Sequence, residues 1–163
     1  MSPLDWATRP LKKYADFSGR APRAEFWWFV LLVCIGIVVA LILESILDLQ
    51  PILVIYGPLT LAVIVATLVP SIAVQTRRLH DTGRPAWWLV AFYILYFGYM
   101  YMALGNLETL SAGDMSSLAS VGVLAIAMVI YSIVLIVFYV LKGTPSPNKY
   151  GDDPYAGGAS RAM

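Results

Sequence analysis

A chain of 163 residues that is 60% hydrophobic and 13% charged departs from the soluble average of about 45–50% apolar and 25% charged, and could not cover itself with polar groups in water. Its net charge of +1 leaves no broad positive field for nucleic acid, which is not expected as a partner. The single cysteine, Cys34, excludes a disulfide within the chain and is expected to be a small buried apolar residue.

Residues 1–25 are polar and carry Pro3, Pro10 and Pro22. They hold no short apolar core followed by a small-residue cleavage site, so the first apolar run is read as its own insertion signal. Within this segment a short interfacial helix is expected over 8–19. Pro10 suits a first helical turn and Gly19 a stop, while Leu11, Tyr14 and Phe17 share a face. A basic leader without regular structure is the alternative.

Four apolar runs follow, at about 26–47, 52–74, 86–104 and 118–141. At about 1.5 Å per residue each spans roughly 28–36 Å, the thickness of a hydrocarbon core. Trp27 and Trp28 open the first run and Trp87 and Trp88 the third, where aromatic belts anchor helices at the interface. In the second run Pro70 frees the carbonyl of Ala66, which needs another partner such as Ser71, Thr67 or a water. The third run is rich in tyrosine (Tyr93, Tyr96, Tyr99, Tyr101), and the fourth has Tyr131 and Ser132 as its polar midpoint.

All eleven Lys and Arg residues lie outside these runs, in alternate segments. Arg9, Lys12, Lys13, Arg20 and Arg23 precede the first; Arg77, Arg78 and Arg84 separate the second and third; Lys142, Lys149 and Arg161 follow the fourth. The other two gaps carry Glu44, Asp48, Glu108 and Asp114, read as close enough to water to stay charged. The positive-inside rule then places the three basic segments, and both termini, in the cytoplasm. The expected architecture is all-α: a polytopic membrane protein with four transmembrane helices in two hairpins (residues 26–141), a cytoplasmic N-terminal segment (1–25) and a cytoplasmic tail (142–163). The two hairpins open alike, with Gly19-Arg20 before Trp27-Trp28 and Gly83-Arg84 before Trp87-Trp88, as an internal duplication or as the same interfacial chemistry used twice.

Three basic segments carry most of the distinctive residues. The first runs Gly19-Arg20-Ala21-Pro22-Arg23-Ala24-Glu25-Phe26-Trp27-Trp28, the second Arg77-Arg78-Leu79-His80-Asp81-Thr82-Gly83, read as a loop, and the third Asn148-Lys149-Tyr150-Gly151-Asp152-Asp153-Pro154. Together they resemble a bacterial inner-membrane family known as domain-of-unknown-function family 805, over roughly residues 11–154. The resemblance implies a four-helix protein of the bacterial inner (plasma) membrane and implies no activity. Pro85 and Ala86 depart from the small or polar residues expected after Arg84.

The chemistry of these segments suggests an anion or headgroup cluster of Arg20, Arg23, Arg77, Arg78, His80, Arg84 and Lys149, with Glu25, Asp81, Asp152 and Asp153 as ion-pair partners. Two readings stay open: ion pairs that staple the loops, or a surplus of arginine that holds lipid phosphate. The leading functional expectation is a non-enzymatic module whose cytoplasmic face binds membrane lipids, above all anionic phospholipid, or a protein partner. An oligomeric transporter or channel subunit, built from copies of the chain, is the rival. An enzyme acting on lipid headgroups through His80 and Asp81 is a distant third. His80 is the lone histidine, with no second His or Cys near it, so no metal is expected, nor any cofactor. No charged residue lies at mid-membrane in any run, which lowers the transport reading.

Overall fold

The computed structural model describes residues 1–52, 56–111 and 115–155. Among the described residues six helices follow one another: α1 (Pro3–Lys12), α2 (Arg23–Ile46), α3 (Pro58–Asp81), α4 (Trp87–Gly105), α5 (Leu107–Ser111) and α6 (Met115–Val140). Among the described residues four helices are long and apolar enough to cross a bilayer: α2, α3, α4 and, from Leu118 to Val140, α6. The chain falls into two compact units, Met1–Gly83 together with the segment from Lys142 on, and Arg84–Leu141.

In the first unit α2 packs against α3, and α1 lies against both. α2 and α3 run antiparallel, since Glu25 at the start of α2 meets Arg77 near the end of α3, while Glu44 near the end of α2 meets Thr60 at the start of α3. α1 begins upstream of the expected helix. Ser2 and Asp5 form a capping box, with the Ser2 N–H and hydroxyl donating to Asp5 at 2.8 Å and the Asp5 N–H donating to Ser2 at 3.2 Å. The helix ends at Lys12, so no helix covers 8–19: Pro10 sits inside α1, and Gly19 lies in the following loop with φ +75°, a left-handed conformation that favours glycine.

α3 also differs from its expected range. It starts at Pro58, preceded by Gly57 as N-cap, and continues through Val74 as far as Asp81. Arg77, Arg78, Leu79, His80 and Asp81 are therefore helical residues rather than a loop. The hydropathy falls there because the helix enters a buried polar cluster. The helix gives way to a turn at Gly83, also at φ +75°, whose N–H donates to the His80 carbonyl at 3.0 Å.

The Ala66 carbonyl freed by Pro70 accepts the Tyr14 hydroxyl at 2.9 Å, from the segment after α1. Thr67 turns instead to its own helix, donating to the Val63 carbonyl at 2.7 Å. Cys34 is exposed on α2, not buried. On a bilayer-crossing helix an exposed position still faces an apolar environment, so composition alone did not separate the two cases.

The second unit pairs α4 with α6 through aromatic rings. Trp88 stands edge-on to Phe138 at 5.2 Å between centroids, and Phe92 and Tyr131 lie 6.1 Å apart. The Tyr131 hydroxyl, the polar midpoint of the run, donates to the Trp88 carbonyl at 2.8 Å, and Ser132 donates to Met128 within its helix. Asp114 and Arg161 lie outside the described residues.

Candidate functional site

The three distinctive segments meet within the first unit, around the last turn of α3. Asp81 is the centre and is almost fully buried. Arg20 donates from Nε to Asp81 Oδ1 at 2.9 Å, and Arg78, one helical turn back, donates to Oδ2. Two guanidinium groups thus share one carboxylate, and their own side chains are withdrawn from water. Arg20 is satisfied further by backbone carbonyls, donating to Thr144 at 2.5 Å and Ser146 at 2.8 Å. Its planar fork clamps the C-terminal segment to the end of α3, a task the compact ammonium of lysine could not perform. The Thr144 N–H closes the clamp on the Asp81 carbonyl at 2.9 Å. Gly143 is required here, since a Cβ at that position would collide with the Asp81 carboxylate.

One turn deeper a second pair forms. Arg77 Nη1 donates to Glu25 Oε1 at 2.6 Å, with both side chains wholly buried. Arg9 of α1 approaches the other carboxylate oxygen, its Nε lying 3.4 Å from Oε2 without hydrogen-bond geometry. Arg77 Nε and Nη2 are buried with no hydrogen-bond partner among the described residues. The Ala21 N–H caps the Arg77 carbonyl at 3.0 Å, so the loop before α2 is pinned to α3 by backbone as well as by charge.

His80 and Asp81 face different partners. The His80 ring lies flat on Tyr150 at 3.8 Å between centroids, and Nδ1 is 3.2 Å from the Gly19 carbonyl, which fixes Nδ1 as the protonated nitrogen when the ring is neutral. Asn148 holds the same corner, donating from Nδ2 to the His80 carbonyl at 3.0 Å and to the Thr144 hydroxyl at 2.9 Å, while its backbone pairs with Gly151. Among the described residues no three His, Cys, Asp or Glu side chains gather as metal ligands.

Beside this cluster opens a cavity of about 240 Å³, lined by Arg23, Arg78, Asp81, Lys142, Gly143, Thr144, Pro145, Asp153 and Tyr155. The site therefore unites Arg20, Arg23, Arg77, Arg78, His80, Glu25, Asp81 and Asp153. Asp153 lines the cavity and accepts the Tyr155 N–H at 2.9 Å. Lys149 is exposed, with its ammonium 4.9 Å from the Tyr150 ring centre, and Asp152 is exposed at the surface. Neither Asp152 nor Asp153 forms an ion pair among the described residues. Arg84 belongs to the second unit, where its guanidinium stacks 3.9 Å from the Phe138 ring centre. Trp27, Trp28 and Trp87 are exposed; Trp88 is half-buried against Phe138.

Three residues take roles not expected of them. Lys142, which opens the third basic segment as Lys142-Gly143-Thr144 but is not among the expected cluster residues, joins the cavity wall. Tyr14 partners the Ala66 carbonyl from 52 positions away, a separation no local pattern reveals. Glu44, read as a charge near water, is buried and accepts the Thr60 N–H at 2.7 Å and hydroxyl at 2.8 Å. It thereby caps α3 from α2, and the hint was the side-chain-free Gly57 preceding Pro58, a helix start with no cap of its own.

Four membrane-length apolar helices, with the charged side chains gathered at helix ends or paired, define an integral polytopic membrane protein of the all-α class. The family model described as "Protein of unknown function (DUF805)" matches residues 14–152, and the chain belongs to that family. It is 30% identical over 154 residues to the inner membrane protein YhaI of Escherichia coli, covering 94% of this chain and 98% of the relative. It is 31% identical over 157 residues to the inner membrane protein YhaH of the same organism, covering 93% and 97%. A third Escherichia coli relative, the uncharacterized protein YiiR, is 28% identical over 144 residues, covering 85% of each chain. No solved structure matches.

Proposed function

We propose that this protein is a non-enzymatic module of the bacterial inner membrane, with both termini in the cytoplasm, whose basic face binds the headgroup of an anionic phospholipid. The observation that carries the proposal is the cavity beside Asp81: Arg23 and Lys142 line it with Asp81 and Asp153, and behind them Asp81 is already shared by the buried Arg20 and Arg78. Positive charge is in surplus at that wall, and a phosphate is the anion a guanidinium fork and an ammonium take at headgroup depth. The inner-membrane relatives support the location, and the segregation of basic segments supports the orientation.

The test is native mass spectrometry of the gently solubilised protein and of its Arg23→Gln/Lys142→Gln variant. The variant is expected to retain less phosphatidylglycerol while remaining inserted and folded. Equal retention by both proteins removes the headgroup reading. A reporter active only in the periplasm, fused after Met163, is expected to stay silent; activity overturns the orientation.

A further inference from the structure

Further along the same two helices runs an apolar groove of about 130 Å³, lined by Phe26, Val30, Val33 and Cys34 of α2 and by Ser71 and Gln75 of α3 among others. The register is what joins the two. On α2, Arg23 at the cavity is followed by Phe26, Val30 and Val33 at the groove, spaced by three and four residues and so on one helical face. On α3, Arg78 at the cavity is preceded by Gln75 and Ser71, again three and four apart. Moving inward from its end, α3 presents the Arg78 guanidinium, then the Gln75 amide, then Val74 and Ser71, while α2 passes from Arg23 directly to aromatic and aliphatic side chains.

That order matches a phospholipid: phosphate, ester carbonyls, hydrocarbon. The spacing matches too. Gln75 lies about 4.5 Å below Arg78 along the helix, within the headgroup and interfacial region, which is about 5–7 Å deep on each side of a bilayer. The Gln75 amide has two N–H donors and a carbonyl, so it can serve an ester oxygen and keep another bond. We infer that the α2–α3 face holds one anionic phospholipid as a bound ligand, with its phosphate in the Arg23/Arg78/Lys142 cavity and one acyl chain seated in the groove past Val30 and Cys34. The inference rests on the headgroup reading above and adds the chain. An amphiphile is thereby favoured over a soluble phosphate, which would use the cavity and leave the groove empty.

The sole cysteine of the chain lines the groove and is exposed, which makes it a built-in reporter. Full-length protein in neutral detergent is alkylated at Cys34 with a maleimide while dioleoyl phosphatidylglycerol, dioleoyl phosphatidylcholine or glycerol 1-phosphate is added. Phosphatidylglycerol is expected to slow alkylation about tenfold more than phosphatidylcholine, the order set by one or two basic side chains facing one phosphate. Glycerol 1-phosphate should not slow it at all. Arg23→Gln/Lys142→Gln should erase the difference between the two lipids, and Val30→Trp, which fills the groove, should lower phosphatidylglycerol retention with the cavity intact. Equal protection by both lipids makes the groove ordinary lipid-facing surface and overturns the inference. Phosphatidylglycerol retained through Lys142 with Cys34 reactivity unchanged also overturns it, leaving the headgroup reading standing; loss of both signals removes both.

Discussion

The same short motif is put to opposite uses in the two units. Gly19-Arg20 and Gly83-Arg84 share a glycine at φ +75° followed by an arginine, and each precedes a Trp-Trp pair. Yet Arg20 is buried in a network of carboxylate and carbonyls, whereas Arg84 stacks on an aromatic ring of its own unit. The α2–α3 unit is organised by buried ions: Glu25 with Arg77, Asp81 with Arg20 and Arg78, and Glu44 at the start of α3. The α4–α6 unit is organised by rings. Sequence likeness at an interfacial glycine and arginine therefore specifies depth and backbone turn, and leaves the partner of the guanidinium to the surrounding helices. Charge buried this way contributes little net stability over an apolar pair, but removing one partner is costly, so the first unit should be brittle to single substitutions where the second is tolerant.

Glu25→Ala breaks the comparison hardest. It leaves the Arg77 guanidinium buried and unpaired and also releases Arg9 of α1. A loss of about 3–5 kcal/mol is expected, read as a collapse of folded yield and of the thermal midpoint in detergent. Arg84→Gln removes a cation–π contact of about 1–2 kcal/mol in the other unit and should leave yield near that of the parent. If the two variants lose the same stability, the division into an ionic and an aromatic unit is wrong.

Next come substitutions that strike the ionic unit without removing a charge. Gly143→Ala drives a Cβ into the Asp81 carboxylate, so Asp81 must shift from its two arginines. The expected loss is about 2 kcal/mol, of the size that overpacking a filled site produces. Hydrogen exchange at the Thr144 amide, which donates to the Asp81 carbonyl, should rise with it; unchanged exchange there means the clamp tolerates the methyl group. Tyr14→Phe is milder. It deletes one hydroxyl and orphans the Ala66 carbonyl beside Pro70, for an expected loss of about 1 kcal/mol by thermal unfolding.

The same contrast explains what could be read from the chain itself. The four spans are visible because a bilayer demands length and apolarity together, and the three distinctive segments are visible because Arg, Asp and His are expensive at membrane depth unless paired, while Trp marks the interface. The end of α3 is not. Hydropathy drops after Val74, but Thr76, Arg77, Arg78, Leu79 and Asp81 are all buried, and a helix whose charges are paired continues where its apolar run stops. α1 starts upstream of its expected range because the capping box of Ser2 and Asp5, three residues apart, sets its start, and Pro10 falls inside the helix. That Pro70 would leave a carbonyl in need was legible; that Tyr14 answers it was not, because pairing across 52 positions depends on how α1 lies against α3. Arg77 belongs to the first unit and Arg84 to the second, and positive charge in one segment does not reveal which helix each side chain follows.

The smallest expected effect lies in the exposed turn after α1, where the ionic unit meets water. Asp16 is held down to about 2, first by the Ser18 hydroxyl, which donates to Oδ1 at 2.5 Å, then by the Ser18 N–H at 3.1 Å and by Lys13 at 3.2 Å. A carboxylate depressed in the folded state stabilises that state above its unfolded value of about 3.9, and the contribution is lost as pH falls through about 2. Because the pair is solvent-exposed, the change should touch the turn and leave the buried ion pairs alone. Ser18→Ala should therefore raise the Asp16 midpoint, read from its carboxyl carbon resonance, part of the way toward the ordinary value, with the backbone N–H and Lys13 keeping it depressed. A midpoint that does not move assigns the depression to Lys13 and the backbone, and makes the Ser18 hydroxyl a bystander.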